Sequence, residues 1–181
     1  MTVIGTWNVE NLFKFRPDGN FGPTSQAAYD VKLKGLVATI NTAGVDVLAV
    51  EEIGDPEALE ELTAQLGSQW RHVTSTVFDT AHPIRVAFLS RLPLEVIAYR
   101  AAFPQQLAAI QAGDDGATAQ QMGRGALAVR VTEPDGRTLD LIAAHLKSKL
   151  LSFPPGPTGR SRFQPGDEGE RCACRKLHPC R

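Results

Sequence analysis

The stretch "DVLAVEEIGD", residues 46–55, decides how the chain is read. Val47, Leu48, Ala49 and Val50 are consecutive apolar residues bounded by polar ones, the pattern of a short strand buried on both faces. The run then stops at two carboxylates, Glu51 and Glu52. Burying an unpaired carboxylate costs several kcal/mol unless something compensates it. Neighbouring residues of a strand point to opposite faces, so only one of the two glutamates is expected to reach any one site. Alternation alone does not decide which.

Working outward, "TVIGTW" (2–7) reads as a first strand and "RPDGNFGP" (16–23) as a Gly/Pro loop. From Ser25, the positions Tyr29, Leu33, Leu36, Val37 and Ile40 keep a helical period that stops at Gly44. After the glutamates, Asp55-Pro56 is a helix start, with Asp55 at the N-cap and proline in the first turn. Glu57, Glu60 and Glu61 suit the positive end, and Gly67 suits the stop. Strand-like runs follow: "WRHVTS", "IRVAFLS", "LEVIAYR", "ALAVRVT" and "TLDLIAAHL", the last two joined by a Glu133-Pro134-Asp135-Gly136 turn. Helical crossovers imply parallel pairs and hairpins antiparallel ones, so the class is α/β with a mixed sheet. The Ala- and Gln-rich segment 101–123 reads as a loop, and there are no internal repeats.

With 181 residues, 43% of them hydrophobic and 22% charged, the chain has the composition of one globular domain with a sizeable core. The net charge of −1 hides an asymmetry: residues 1–145 hold 11 Lys/Arg against 17 Asp/Glu, and residues 146–181 hold 8 against 3. A polyanion would be drawn to the C-terminal part or to a bound cation, not to the whole surface. No apolar run approaches membrane-spanning length, and Met1-Thr2 leads directly into strand-like sequence, so a cytoplasmic protein is expected.

Asn8 follows the first strand, Glu52 ends the second, and His145 ends "LDLIAAH". All three therefore fall at strand ends, where α/β folds place their binding crevices. An amide oxygen and a carboxylate suit a hard divalent cation such as Mg²⁺, which would compensate the buried charge.

"TWNVENLF" (6–13), "LAVEEIGD" (48–55), "IRVAFLSRLPL" (84–94), "MGRGALAVRV" (122–131) and "LIAAHLKSKL" (141–150) stand in the order typical of one group of enzymes. The chain resembles the endonuclease/exonuclease/phosphatase superfamily, which includes type I deoxyribonuclease-like enzymes, abasic-site endonucleases, inositol-phosphate phosphatases and neutral sphingomyelinases. The likeness covers residues 2–171. It implies the N-terminal portion of a four-layer α/β/β/α sandwich and metal-dependent hydrolysis of a phosphodiester or phosphomonoester by water. It implies Glu52 and Asn8 as metal-site residues, with Glu51 at the family's Gln position, and His145 as the catalytic histidine. Asn11, Arg124 and Lys147 are candidate phosphate contacts, since guanidinium and ammonium groups suit that anion. The implied cofactor is Mg²⁺, with Mn²⁺ as a substitute, and the implied partner is a phosphate-ester substrate, nucleic acid among the candidates.

Blander readings compete. Asn8 is a turn former and Asn11 a turn cap. Arg91, Arg124 and Lys147 taken singly are surface charges, while His72 and His82 have no motif and read as structural. The family also needs a later Asp-x-Asn and a late Asp-His. The only Asp-x-Asn is Asp18-Gly19-Asn20, in a loop whose composition indicates a turn, and there is no Asp-His. "FQPGDEGER" (163–171) opens like a helix, but "CACRKLHPCR" (172–181) supplies no amphipathic body and holds all three cysteines.

The expectation is a partial domain over 1–171 followed by an aberrant Cys-rich tail, as a frame slip or truncation after Arg171 would leave. A zinc knuckle of Cys172, Cys174, His178 and Cys180 is the rival, against which the one-residue gap between the first two cysteines counts. The functional alternative is an inactive fragment or binding module. Such a truncation would leave the second sheet of the sandwich unmade and expose the inner apolar face of the first, so the purified chain is expected to aggregate, dimerise or bind a hydrophobic dye. A monomer in sedimentation with a sharp thermal transition would count against truncation.

Overall fold

The computed structural model describes residues 1–19, 21–76, 83–106, 110–111 and 118–146, without the side chains of 110, 111 and 123. The central strand is the one anticipated from the apolar run, β2 (Val47–Ile53). It lies parallel to β1 (Ile4–Leu12) and antiparallel to β4 (Arg85–Ser90), and β3 (Arg71–Thr74) pairs antiparallel with β4. The resulting mixed sheet has the order β1-β2-β4-β3. Contrary to the expectation that it would be unmade, a second sheet is present, because its strands all precede residue 146; it orders β5 (Leu94–Ala102), β8 (Gln121–Thr132) and β9 (Thr138–Ala144) as β5-β8-β9. The β8–β9 hairpin closes through the expected turn, in which Gly136 has φ 83 and its N–H donates to the Glu133 carbonyl at 2.9 Å.

The helices form for the reasons their ends announce. Helix α1 (Gln26–Ala43) starts at Ser25, whose Oγ accepts from the Ala28 N–H at 3.1 Å, and stops at Gly44 in the left-handed conformation, φ 63. Helix α2 (Pro56–Leu66) has proline in its first turn and Asp55 at the N-cap. Asp55 stands at the N-cap as expected, but its side chain makes no capping hydrogen bond. Its carboxylate accepts instead from the Lys14 N–H at 2.8 Å and pairs with Arg16 at 3.0 Å, fixing the segment after β1.

Two apolar clusters divide the strand faces. Leu48, Val50 and Ile53 pack with Tyr29, Leu33, Leu36 and Ile40 of α1 and with Leu59, Leu62 and Leu66 of α2. Val47, Ala49, Val86 and Phe88 pack instead with Leu127, Val129, Val131 and Ala143 of the second sheet. The layers are thus helices, mixed sheet and second sheet, a mixed α/β architecture with two sheets. Both helices found among the described residues lie on the outer side of the mixed sheet.

Met1–Ala101 and Gly123–His145 form one compact unit. The segment 102–122 belongs to a second unit, and within it β6 (Ile110–Gln111) pairs antiparallel with β7 (Thr118–Ala119). The loop expected over 101–123 is therefore partly strand. Its Ala- and Gln-rich composition has few β-branched residues to announce one.

Three elements meet at Glu61 of α2. Its carboxylate accepts from the buried Tyr29 hydroxyl of α1 at 2.7 Å and from Lys14 Nζ at 2.6 Å. The hydrogen bonds from Lys14 and Tyr29 hold Glu61 below its ordinary pKa of 4.5. A depressed carboxylate contributes stability above its unfolded pKa and loses it as pH falls through the lower folded value. Tyr29→Phe is expected to destabilise the fold by about 1 kcal/mol at neutral pH. The wild-type advantage should shrink as the pH falls below 4.5, measured by urea unfolding of both proteins across that range.

Candidate active site

The site is built on a break in strand alternation. In β2, Glu51 lies opposite Val86 of β4 and Ile53 opposite Arg85, which leaves Glu52 as an extra residue. Glu52 sits at φ 65, a left-handed conformation uncommon outside glycine. On the other side, Asn8 of β1 is opposite Glu51 and Leu12 is opposite Ile53, so Val9, Glu10 and Asn11 face the single bulged position. Glu10 and Asn11 are left-handed as well, at φ 55 and 59.

The bulge corrects one expectation. Strict alternation would turn only one of Glu51 and Glu52 to the crevice. Both instead approach His145, whose Nε2 lies 3.5 Å from Glu52 Oε1 and 4.0 Å from Glu51 Oε2. Beyond the bulge, Ile53 returns to the helix-side core as though no residue had been added.

Hydrogen bonds hold Glu52. Asn8 Nδ2 donates to Oε1 at 2.9 Å and the Asn11 backbone N–H donates to Oε2 at 3.1 Å. The Asn8 side-chain oxygen is engaged elsewhere, accepting from the Glu10 N–H at 2.9 Å. Asn8 in this arrangement therefore orients Glu52 rather than presenting its own oxygen to the crevice. Asn11 takes part through its backbone, where a side-chain contact to phosphate was expected. Lys32 of α1, which the sequence reading passed over, donates to the carbonyls of Glu10 and, at 3.5 Å, Asn11.

His145 follows β9, and Arg124 lies on the adjacent strand β8, with its Nη1 3.4 Å from His145 Nε2. The Tyr99 hydroxyl lies between two carbonyls, that of Thr76 at 3.0 Å and that of Arg124 at 3.3 Å, and shares its one proton between them. Gly125 allows this approach: it has φ 66, and a Cβ there would fall 2.6 Å from the Tyr99 hydroxyl oxygen. Burial of the ring and then the Arg124 charge push the His145 pKa below its usual value, while Glu51 and Glu52 oppose the shift. The neutral imidazole is favoured. Its Nδ1 is buried and has no hydrogen-bond partner among the described residues.

Among the described residues, no group of three or more His, Cys, Asp or Glu side chains is disposed as a metal cage. Two carboxylates nevertheless converge on one ring nitrogen, with their side chains only 24% and 19% exposed. Paired oxygen donors fit Mg²⁺, which binds through one or two carboxylates and takes water or substrate phosphate for the rest of its shell.

Other candidates resolve differently. Arg91 is structural: it donates to the Val45 carbonyl at 2.7 Å and to Asp46 at 3.0 Å, and it lies over the Trp70 ring. His72 Nδ1 is 3.0 Å from the Thr63 hydroxyl, in keeping with a structural role. Gly19 closes a turn by donating to the Arg16 carbonyl at 3.0 Å, as the composition of 18–20 suggested. Lys147, His82, His178 and the cysteines lie outside the described residues.

The model of the Endonuclease/Exonuclease/phosphatase family matches residues 5–128, so the chain belongs to that family. No curated protein matches it. Among solved structures, it is similar to TDP2 from Caenorhabditis elegans at 13% identity and TM-score 0.49, over 82% of this chain and 36% of that one. It is also similar to an endonuclease/exonuclease/phosphatase family protein from Leptotrichia buccalis at 14% identity and TM-score 0.47, over 81% of this chain and 54% of that one. The chain thus spans about a third to a half of the length of these structures.

The left-handed backbone at Glu52 is testable without any ligand. In an ordinary strand, glycine is less stable than alanine by roughly 0.5–1 kcal/mol. At a left-handed position the order reverses, because the Cβ penalty is about 1–2 kcal/mol. Glu52→Gly and Glu52→Ala lose the same carboxylate, so Glu52→Gly should be the more stable by about 1 kcal/mol in chemical denaturation. Equal stabilities, or alanine ahead, would mean that the bulge is not there.

Proposed function

We propose that this chain carries the cation-and-histidine part of a Mg²⁺-dependent phosphate-ester hydrolase acting on a phosphodiester or phosphomonoester. The observation that supports this most strongly is the convergence of Glu51, Glu52 and His145 at the ends of strands from two sheets. Family membership supports phosphate-ester chemistry in general.

Glu52, oriented by Asn8 and the Asn11 N–H, would hold the cation, and Glu51 would add a second carboxylate to the same crevice. When bound, Mg²⁺ or Mn²⁺ supplies Lewis-acid stabilisation of the phosphate charge, worth several kcal/mol. Arg124 would contact a phosphate oxygen, for which a guanidinium is well suited. Neutral His145 would donate a hydrogen bond to a non-bridging oxygen or take up a proton at Nε2, a role typically worth about 10²–10⁴ in rate. Lys147 stands two residues beyond His145 in the chain and is a further candidate phosphate contact.

The sequence lacks a second Asp-x-Asn and any Asp-His, so no group is assigned to take the proton from the attacking water. Groups that act as a unit fail together, and their absence removes most of the rate rather than a fixed share. The 181-residue chain is therefore expected to bind Mn²⁺ but to hydrolyse no DNA, RNA or generic phosphodiester. Binding should weaken at least tenfold in Glu52→Gln and several-fold in Glu51→Gln, read by electron paramagnetic resonance titration. Absence of Mn²⁺ binding would overturn the cation assignment. Turnover that requires both Mg²⁺ and Glu52 would show that the chain supplies its own base.

A further inference from the structure

The mechanism above leaves one half-buried charge unused. Lys32 projects from α1 toward the end of β1, and its partners there are backbone carbonyls, those of Glu10 and Asn11. These are the two consecutive left-handed residues at the end of β1, and their N–H groups have polar partners of their own. The Glu10 N–H donates to Asn8 Oδ1 at 2.9 Å and the Asn11 N–H to Glu52 Oε2 at 3.1 Å. Consecutive left-handed residues are costly outside glycine and persist only where their surroundings over-determine them. In this turn the carbonyls are held from the helix side and the N–H groups from the crevice side.

We propose that Lys32 is a positioning residue that holds Glu52 toward the crevice through the backbone of Glu10 and Asn11. The inference rests on the reading of Glu52 as the cation ligand. An ammonium on both carbonyls fixes the plane of the Glu10–Asn11 peptide and with it the direction of the Asn11 N–H. That N–H then determines where Glu52 Oε2 points. Burial lowers the Lys32 pKa, while the nearby charges of Glu10 and Glu52 raise it, so the charged form is retained at a cost in desolvation. A lysine needed only for surface charge would not be expected in such a place. The hydrogen bonds of Lys32 go to main-chain carbonyls, and sequence motifs centred on the strands do not reveal it.

Lys32→Met keeps the length of the stem and removes the donor, whereas Lys32→Arg keeps a charged donor. In the full chain, Lys32→Met should shift the Asn11 amide resonance and the Glu52 side-chain carboxyl resonance, both followed by nuclear magnetic resonance. It should also weaken Mn²⁺ binding by about tenfold, the usual size for a group supporting a ligand. Lys32→Arg should recover most of all three effects. A purely structural role predicts instead a lower unfolding midpoint with the Asn11 amide and Glu52 carboxyl resonances unchanged in the folded protein, and that result would overturn the proposal. So would equal losses in Lys32→Met and Lys32→Arg. If the wild-type chain does not bind Mn²⁺, the cation reading fails, and Lys32 is judged by the amide and carboxyl measurements alone.

Discussion

Two adjacent carboxylates can face the same side of a strand only if alternation is broken, and here the break is one extra residue in left-handed backbone, Glu52. Such a conformation costs of order 1–3 kcal/mol. A bulge alone would not hold a chosen side chain in place, because the inserted residue is free of the ladder on both sides. The end of β1 supplies what the ladder cannot. Asn8 and the Asn11 N–H each take one oxygen of Glu52, and Lys32 fixes the turn that carries Asn11. Hydrogen bonds to a charged group each contribute about 1.5–3 kcal/mol net, enough to hold the strained residue.

The rigidity of the arrangement comes from the residues before it. Val47 to Val50 are buried on both faces, with Leu48 and Val50 against the helices and Val47 and Ala49 against the second sheet. A slip by one residue would exchange these sets and empty both cores. The position of the glutamates is thus set by packing that has nothing to do with their chemistry. The same packing brings β9 over β2, so that the residue after β9, His145, arrives at the bulge. Among the described residues no strand ladder joins the two sheets, and the apolar layer between them sets the distance from imidazole to carboxylate.

This division explains what could be read beforehand. The elements were legible because their signals are local: an unbroken apolar run for β2, a helical period closed by Ser25 and Gly44 for α1, and Asp55-Pro56 for α2. The candidate residues Asn8, Glu52 and His145 were legible as strand-end polar groups within family motifs. Glu51 was misread, since period-two alternation cannot show a bulge, and a bulge at a non-glycine residue leaves no compositional mark. Lys32 was missed because its partners are main-chain carbonyls and no side-chain pattern records them. Asp55 was placed correctly at the helix start, but its carboxylate serves the Lys14 N–H and Arg16, choices made by tertiary contact.

Electrostatics then decide how such a crevice could receive a phosphate. Two unit charges 4 Å apart repel by about 4 kcal/mol at an effective dielectric constant near 20. Glu51 and Glu52 together would therefore repel an anionic ester by several kcal/mol, more than Arg124 alone returns from beside His145. The first 145 residues carry an excess of acidic groups, so the wider surface offers no remedy. A neutral histidine cannot reverse the sign either. On the proposed reading, a divalent cation held by the two carboxylates would reverse that balance. The second glutamate, a hindrance to anion binding by itself, would then add to the affinity for the cation. Cation occupancy and phosphate binding would on that reading be coupled, and the bulge at Glu52 would contribute by bringing both carboxylates toward His145.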